Sequence, residues 1–240
     1  MEYKSSGKKY NGEKAIISLT SWKARINTVS KILYSLLKQC QEFHIVLVLS
    51  EEEFPLMEKE LPDDLLLFVK NELIELLWVY KNYKSFKKIL FTMDKYRNVP
   101  IISADDDCLY TCNYAEILYN KWLENKQSII SINKTNHNGY VYGPWGIATL
   151  HPPRNYVLDE MTFHFLDFMI LHNISSDDIF YGLYQYYINK KPIISLAKQM
   201  KNIGKDLKFR KSSISNSSKM NFPNNNKLLF LTFKKSFNIK

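Results

Sequence analysis

Three consecutive aspartates, Asp105, Asp106 and Asp107, follow an apolar run at 99–104 that reads Val-Pro-Ile-Ile-Ser-Ala. Like charges side by side repel one another and desolvate badly unless a cation or solvent compensates them. At the carboxyl end of a buried strand they face a ligand crevice, and their hard oxygens suit Mg2+ or Mn2+, ions commonly held by one or two carboxylates and substrate phosphates. The implied partner is a metal-bound phosphate compound. A second acidic pair, Asp177 and Asp178, stands behind Ser176 at the start of a helical pattern. Acids in a first turn are favoured by the helix dipole, and the same placement offers a general base. His151, beside Pro152 and Pro153, reads as structural or as a further metal ligand, while His44, His137, His164 and His172 lack ligand spacing. Cys40, Cys108 and Cys112 are an odd count that fits reduced thiols.

These groups need a scaffold, and the hydrophobic pattern supplies one. Residues 14–19 form an apolar run closed by Thr20 and Ser21, which predicts a strand buried on both faces. Val29, Ile32, Leu33, Leu36 and Leu37 then recur at helical spacing, predicting a helix over 27–39. Strands follow at 43–49, ending in the acidic stretch 50–53 before Pro55, and at 73–79. Phe86, Ile89, Leu90 and Met93 predict a helix over 84–95, and 99–104 is the next strand. Asn113 with Glu116 forms a capping-box pattern ahead of Ile117, Leu118 and Trp122. The Gly- and Pro-rich segment 133–153, with Tyr140, Tyr142 and Trp145, reads as a long functional loop. A last strand is expected at 191–196. Alternating strands and helices predict an α/β fold, a doubly wound, mostly parallel, Rossmann-like sheet that binds ligand at the carboxyl ends of its strands.

Charge divides the chain. It has 240 residues with 33 Lys+Arg against 24 Asp+Glu, a formal net charge of +9. Residues 198–240 hold eleven of the bases and a single acid, Asp206, so 1–197 carry 22 bases and 23 acids. A neutral body argues against a nucleic-acid enzyme with a basic binding face. The expected organisation is a catalytic domain over 1–197 and a basic, partly flexible tail over 198–240. The apolar stretch 228–233 among the tail's lysines suits docking on an anionic membrane surface. The polar N-terminus and the lack of a long apolar run lead to an expected cytoplasmic location, with peripheral attachment to the inner face of a membrane.

The order of these pieces resembles the nucleotide-sugar-dependent glycosyltransferases of the GT-A fold, specifically the bacterial polysaccharide type. The resemblance is carried by 18–26 (Ser-Leu-Thr-Ser-Trp-Lys-Ala-Arg-Ile), by 88–90, by 101–110, by 146–153 and by 176–179. It implies that the aspartates act as an Asp-x-Asp motif, with Asp107 on the metal and Asp105 on the metal or the donor, and with Asp106 beside the donor. It implies donor contacts for Thr20, Ser21, Arg25 and Lys88, and a contact to uracil for an acid at the end of the second strand, for which Glu51 is a loose match. Asp178 would be the base that deprotonates the acceptor, with Asp177 beside it. Trp145 and Gly146 would meet the acceptor sugar, although the loop also reads as a hydrophobic plug over the sheet. The expected reaction is sugar transfer from a nucleoside diphosphate donor, a UDP-sugar first of all, to a glycan or lipid-linked glycan, with inversion and with Mn2+ or Mg2+ as cofactor.

Two other readings stay open in the sequence. An aspartate motif after a buried strand also opens phosphatases of the haloacid dehalogenase type, which place Thr or Val where Leu109 stands. A non-enzymatic membrane- or polyanion-binding module would rest on the tail alone.

Overall fold

The computed structural model describes residues 2–39, 42–137, 140–142, 145, 147–174, 177–197, 204–206 and 231–239. The central strands are β2 (Ala15–Thr20), β3 (Phe43–Ser50), β4 (Glu75–Val79) and β5 (Ile101–Ser103), joined in parallel in the order β4-β3-β2-β5. All of β3 is buried, as its unbroken apolar run requires of a strand covered on both faces. β1 (Lys4–Gly7) closes one edge antiparallel to β4. Gly7 is required there: at φ 83° an added Cβ would stand 2.3 Å from the Ile74 carbonyl oxygen.

On the other side, β10 (Thr149–His151) runs antiparallel between β5 and β7 (Ile129–Ser131), and β11 (Ile193–Ser195) pairs parallel with β7. The sheet is therefore mixed, parallel at its centre and antiparallel where β10 is inserted. Segment 133–153 is not a plain loop. It contains a hairpin, β8 (Thr135–His137) with β9 (Tyr140–Tyr142), and then β10.

Helices cover both faces. α1 (Val29–Leu36), α2 (Asp63–Lys70) and α4 (Tyr114–Glu124) enclose one core with Ile17, Leu47 and Leu76; α3 (Lys87–Lys95), α5 (Glu160–Leu171) and α6 (Asp177–Tyr184) enclose the other with Ile16, Val48 and Leu77. Fully buried Ile32, Leu33 and Leu36 each stabilise α1 by roughly 1.5–3 kcal/mol relative to exposure. The helix is shorter than 27–39 because a 3-10 turn, Ile26–Thr28, precedes it. The capping box at Asn113 does not form, since that side chain makes no capping hydrogen bond. A true cap appears at Asp159, which accepts from the Thr162 N–H at 2.9 Å and starts α5.

Beyond residue 197 the chain returns to the domain in both described places. β12 (Gly204–Asp206) pairs antiparallel with β6 (Cys108–Tyr110), directly after the aspartates. A helix at 231–236 buries Phe233 against Phe165, with ring centroids 4.9 Å apart. No helix among the described residues is long and apolar enough to cross a membrane.

Candidate active site

β2 and β5 are parallel neighbours with Ser18 opposite Ser103, and the Ala104 N–H donates to the Ser18 carbonyl at 2.9 Å. The chain turns to β3 and β4 on one side of this pair and to β10 on the other. Such a reversal leaves a crevice beyond the carboxyl ends. Ser21 and the three aspartates emerge at its edge.

The aspartates are not equivalent. Asp106 points inward, accepting a hydrogen bond from Ser21 Oγ at 2.7 Å and an ion pair from Arg25 at 2.5 Å. Burial pushes its carboxyl up, and Arg25 and Ser21 pull it only part of the way back. Its place is beneath the crevice, as a clamp joining β2's end to β5's end, rather than beside a donor. Asp105 and Asp107 stay partly open, with 34% and 33% of their side-chain surface exposed. Lys88 meets Asp105 Oδ1, and Arg25 meets Asp107 Oδ2 at 3.0 Å. Burial, then the charge of Asp105, raises the Asp107 carboxyl.

Lys88 connects this cluster to the second. Its fully enclosed ammonium also pairs with Asp177 Oδ2 at 3.3 Å. Burial alone would lower an ammonium; here Asp105 and Asp177 outweigh it and hold Lys88 above its ordinary value. Ser18 fixes the start of α3 by donating to the Lys88 carbonyl oxygen and meeting Thr92 Oγ1 at 2.7 Å. Asp178, the next residue on α6, accepts from the Trp145 N–H at 2.9 Å. Burial, then Asp177 and Asp105, push the Asp178 carboxyl up to about 7.

Several expected contacts fall elsewhere. Trp145 is fully buried, so its ring offers no face to a sugar; its carbonyl accepts from Ser103 at 2.7 Å and lies 3.3 Å from His151 Nε2. The plug reading fits this burial, because the indole lies in the core with its ring 6.3 Å from that of His151 while its backbone is held by Ser103 and Asp178. Gly146, expected beside it, lies outside the described residues, as do Gly143 and Ser176. His151 meets the Trp145 carbonyl and, through Nδ1, Tyr156 at 3.2 Å, and burial lowers it to about 3, so it is packed as a neutral ring in the core. Thr20 spends its hydroxyl on the Val48 carbonyl at 2.7 Å. Glu51 turns to Lys4 at the sheet edge, 3.1 Å away.

Three residues missed in the sequence complete the crevice. Glu53 accepts from the Lys23 N–H and from Asn82 Nδ2, each at 3.2 Å. Asn82 also accepts from Lys87 at 2.6 Å. Lys87 is 1% exposed, and burial lowers it to about 8 against the pull of Glu53 and Asp106. The adjacent lysines 87 and 88 were visible, but only packing shows that both are buried.

No family model and no curated protein matches the chain. Among solved structures it is similar to TarS 1–349 of S. aureus, at 15% identity over 52% of this chain and 36% of that one, with a TM-score of 0.36. The glycosyltransferase GlyE of Streptococcus pneumoniae TIGR4 matches at 13% identity over 79% of this chain and 46% of that one, with a TM-score of 0.46. The mannosyltransferase PcManGT of Pyrobaculum calidifontis, in complex with GDP-Man and Mn2+, matches at 12% identity over 56% and 39%, with a TM-score of 0.34. The chain spans less than half the length of each of these structures.

The donor set also bears on a metal. Among the described residues no three His, Cys, Asp or Glu side chains converge to hold an ion by themselves. Asp105 and Asp107 nonetheless fit the one or two carboxylates that Mg2+ or Mn2+ takes from a protein when phosphates supply other ligands.

Proposed function

We propose that this chain is a glycosyltransferase that moves a sugar from a nucleoside diphosphate donor, with a UDP-sugar as the first candidate, to a glycan or lipid-linked glycan acceptor. The observation that carries this reading is the buried Lys88 ammonium, which holds Asp105 and Asp177 in one site and leaves Asp178, at about 7, beside them. A base is most effective when its value lies near the working pH. Metal-free cationic phosphate sites do not need such a carboxylate, and a purely binding surface does not need to raise one.

Asp105 and Asp107 would hold the metal, which when bound supplies charge stabilisation to the departing diphosphate. Arg25 stands against Asp107 and Lys88 against Asp105, so both cations border the place where the diphosphate charge develops. Asp106 keeps Ser21 and Arg25 in register below. The acceptor oxygen attacks the anomeric carbon, its proton passes to Asp178, and the carbon–oxygen bond to the diphosphate breaks with the electron pair leaving on the diphosphate. Attack opposite the leaving group inverts the anomeric carbon. The Trp145 N–H fixes one oxygen of Asp178, and the other would take the acceptor's proton.

The test is incubation of the purified chain with a panel of UDP- and GDP-sugars and Mn2+, following free nucleoside diphosphate and inorganic phosphate separately. Release of nucleoside diphosphate from one donor, abolished by chelation, is expected. Inorganic phosphate as the first product would overturn the reading in favour of a phosphatase, and absence of both binding and turnover across the panel would overturn it outright.

A further inference from the structure

After Asp178 the chain carries thirteen Lys and Arg residues and one acid, Asp206. Part of this charge is organised on a defined surface. At the end of α6 a π turn, Gln185–Asn189, is closed by the Lys190 N–H donating to the Gln185 carbonyl at 2.8 Å. The helix at 231–236 lies against it: Tyr187 and Phe233 rings are 5.9 Å apart, Tyr184 and Phe237 5.5 Å, and the Lys234 ammonium sits 5.5 Å over the Tyr187 ring. Phe233 is thus spent on the core.

Outside this contact the surface shows Tyr186, Ile188 and Leu231, exposed by 42%, 36% and 57%, with Lys190 and Lys235 exposed and Lys234 half-buried. Of the acids on α5, which packs under the same helix, Asp167 is paired with Lys81 at 2.7 Å. Apolar tips set among lysines that meet no acidic side chain among the described residues match the chemistry of a negatively charged bilayer, where side chains such as Ile and Leu enter the headgroup boundary and tyrosines rest within it. A nucleic acid is less well matched, because Ile188 and Leu231 give nothing to phosphates.

We propose that the face formed by the 185–190 turn and the helix at 231–236 docks on an anionic lipid bilayer. α6 carries Asp177 and Asp178 in its first turn and leads into this face after its last, so a helix of eight residues, about 12 Å long, separates the acidic pair from the lipid-facing turn. Resting on the transferase reading, that spacing suits an acceptor glycan that extends from its lipid rather than one lying in the headgroups.

The experiment sediments the full chain with phosphatidylcholine vesicles and with mixed phosphatidylcholine–phosphatidylglycerol vesicles. Binding to the mixed vesicles only, weakened by salt, is expected. The triple variants Lys190→Glu/Lys234→Glu/Lys235→Glu and Tyr186→Ser/Ile188→Ser/Leu231→Ser should each lower partitioning by at least about tenfold. Their thermal melts verify that they remain folded. No binding to the mixed vesicles, or wild-type binding by both variants, would overturn the proposal, as would RNA binding that the lysine triple abolishes while lipid binding is absent. Nucleoside diphosphate release in solution, measured on the same proteins, should persist in both variants, so failure of docking and failure of the transferase reading are separately visible.

Discussion

The two acidic clusters share one ammonium and hold their charge in different ways. The triplet sits where a strand ends and meets cations directly, Arg25 on Asp106 and Asp107 and Lys88 on Asp105. The pair sits in the first turn of α6, where successive residues point about 100° apart. Asp177 therefore turns to Lys88, while Asp178 turns to a backbone N–H of the 133–153 segment. Asp177 has a cation to pair with, while Asp178 faces a single amide dipole beside a charged neighbour, and burial with Asp177 and Asp105 raises it to about 7. On the transferase reading proposed above, the triplet would hold positive charge and the pair would exchange a proton.

Breaking the proton-exchanging side should have the largest effect. Asp178→Asn is expected to lower transfer by roughly 10²–10⁴-fold with donor affinity unchanged, as steady-state kinetics and calorimetric titration would show. In the wild type the rate should rise with pH through about 7 and then level. Stability should move oppositely. The folded value of Asp178 lies above its unfolded one, so its contribution is complete below about pH 4 and is lost as pH rises through 7. Asn escapes that loss, and the variant should gain on the wild type in urea midpoint between pH 5 and 8. A flat pH–rate profile would remove Asp178 from the role of base.

Lys88→Met severs the link between the clusters. Removing one partner of a buried ion pair strands the other, and here two carboxylates lose the same cation. Because Asp105 keeps 34% of its side chain in water, the expected cost is about 3 kcal/mol, at the lower end for buried pairs. Denaturant unfolding would measure it. Arginine at 88 should not restore the wild type, since a planar guanidinium does not replace a compact ammonium in an enclosed site. If the Met variant unfolded like the wild type, the two clusters would be independent.

The same contrast governs what the sequence makes legible. Periodicity located β2, β3, β4 and β5 to within a residue or two because parallel strands buried on both faces have unbroken apolar runs. With them came the place of the triplet. Side-chain direction was not legible: Asp106 is inward, Trp145 is buried and Glu53 replaces Glu51 at the crevice, each decided by a turn geometry that residue type does not encode. The short strands β7, β8, β9 and β10 were missed, since three residues are too few to establish a period, and the equally short β5 was found only through the longer apolar run 99–104 around it. The Asn113 cap failed for another reason, as sequence shows that a cap is available and not whether the side chain takes it.

The smallest expected effect lies within the triplet itself. Ser21→Ala takes one donor from Asp106 Oδ2 and leaves the Arg25 pair in place. A hydrogen bond to a buried charge contributes about 1.5 kcal/mol or somewhat more, so the urea midpoint at pH 7 should fall by that measure. The sign of its pH dependence follows from which form the hydroxyl supports. Ser21 donates to ionised Asp106 and so lowers a value that burial has raised; without it the value rises further. The penalty is then paid by the ionised form alone and should shrink as pH falls and Asp106 takes up its proton. A loss equally large at pH 4 and pH 7 would mean that Ser21 supports the turn by packing, and that the triplet's charge is held by Arg25 and Lys88 without it.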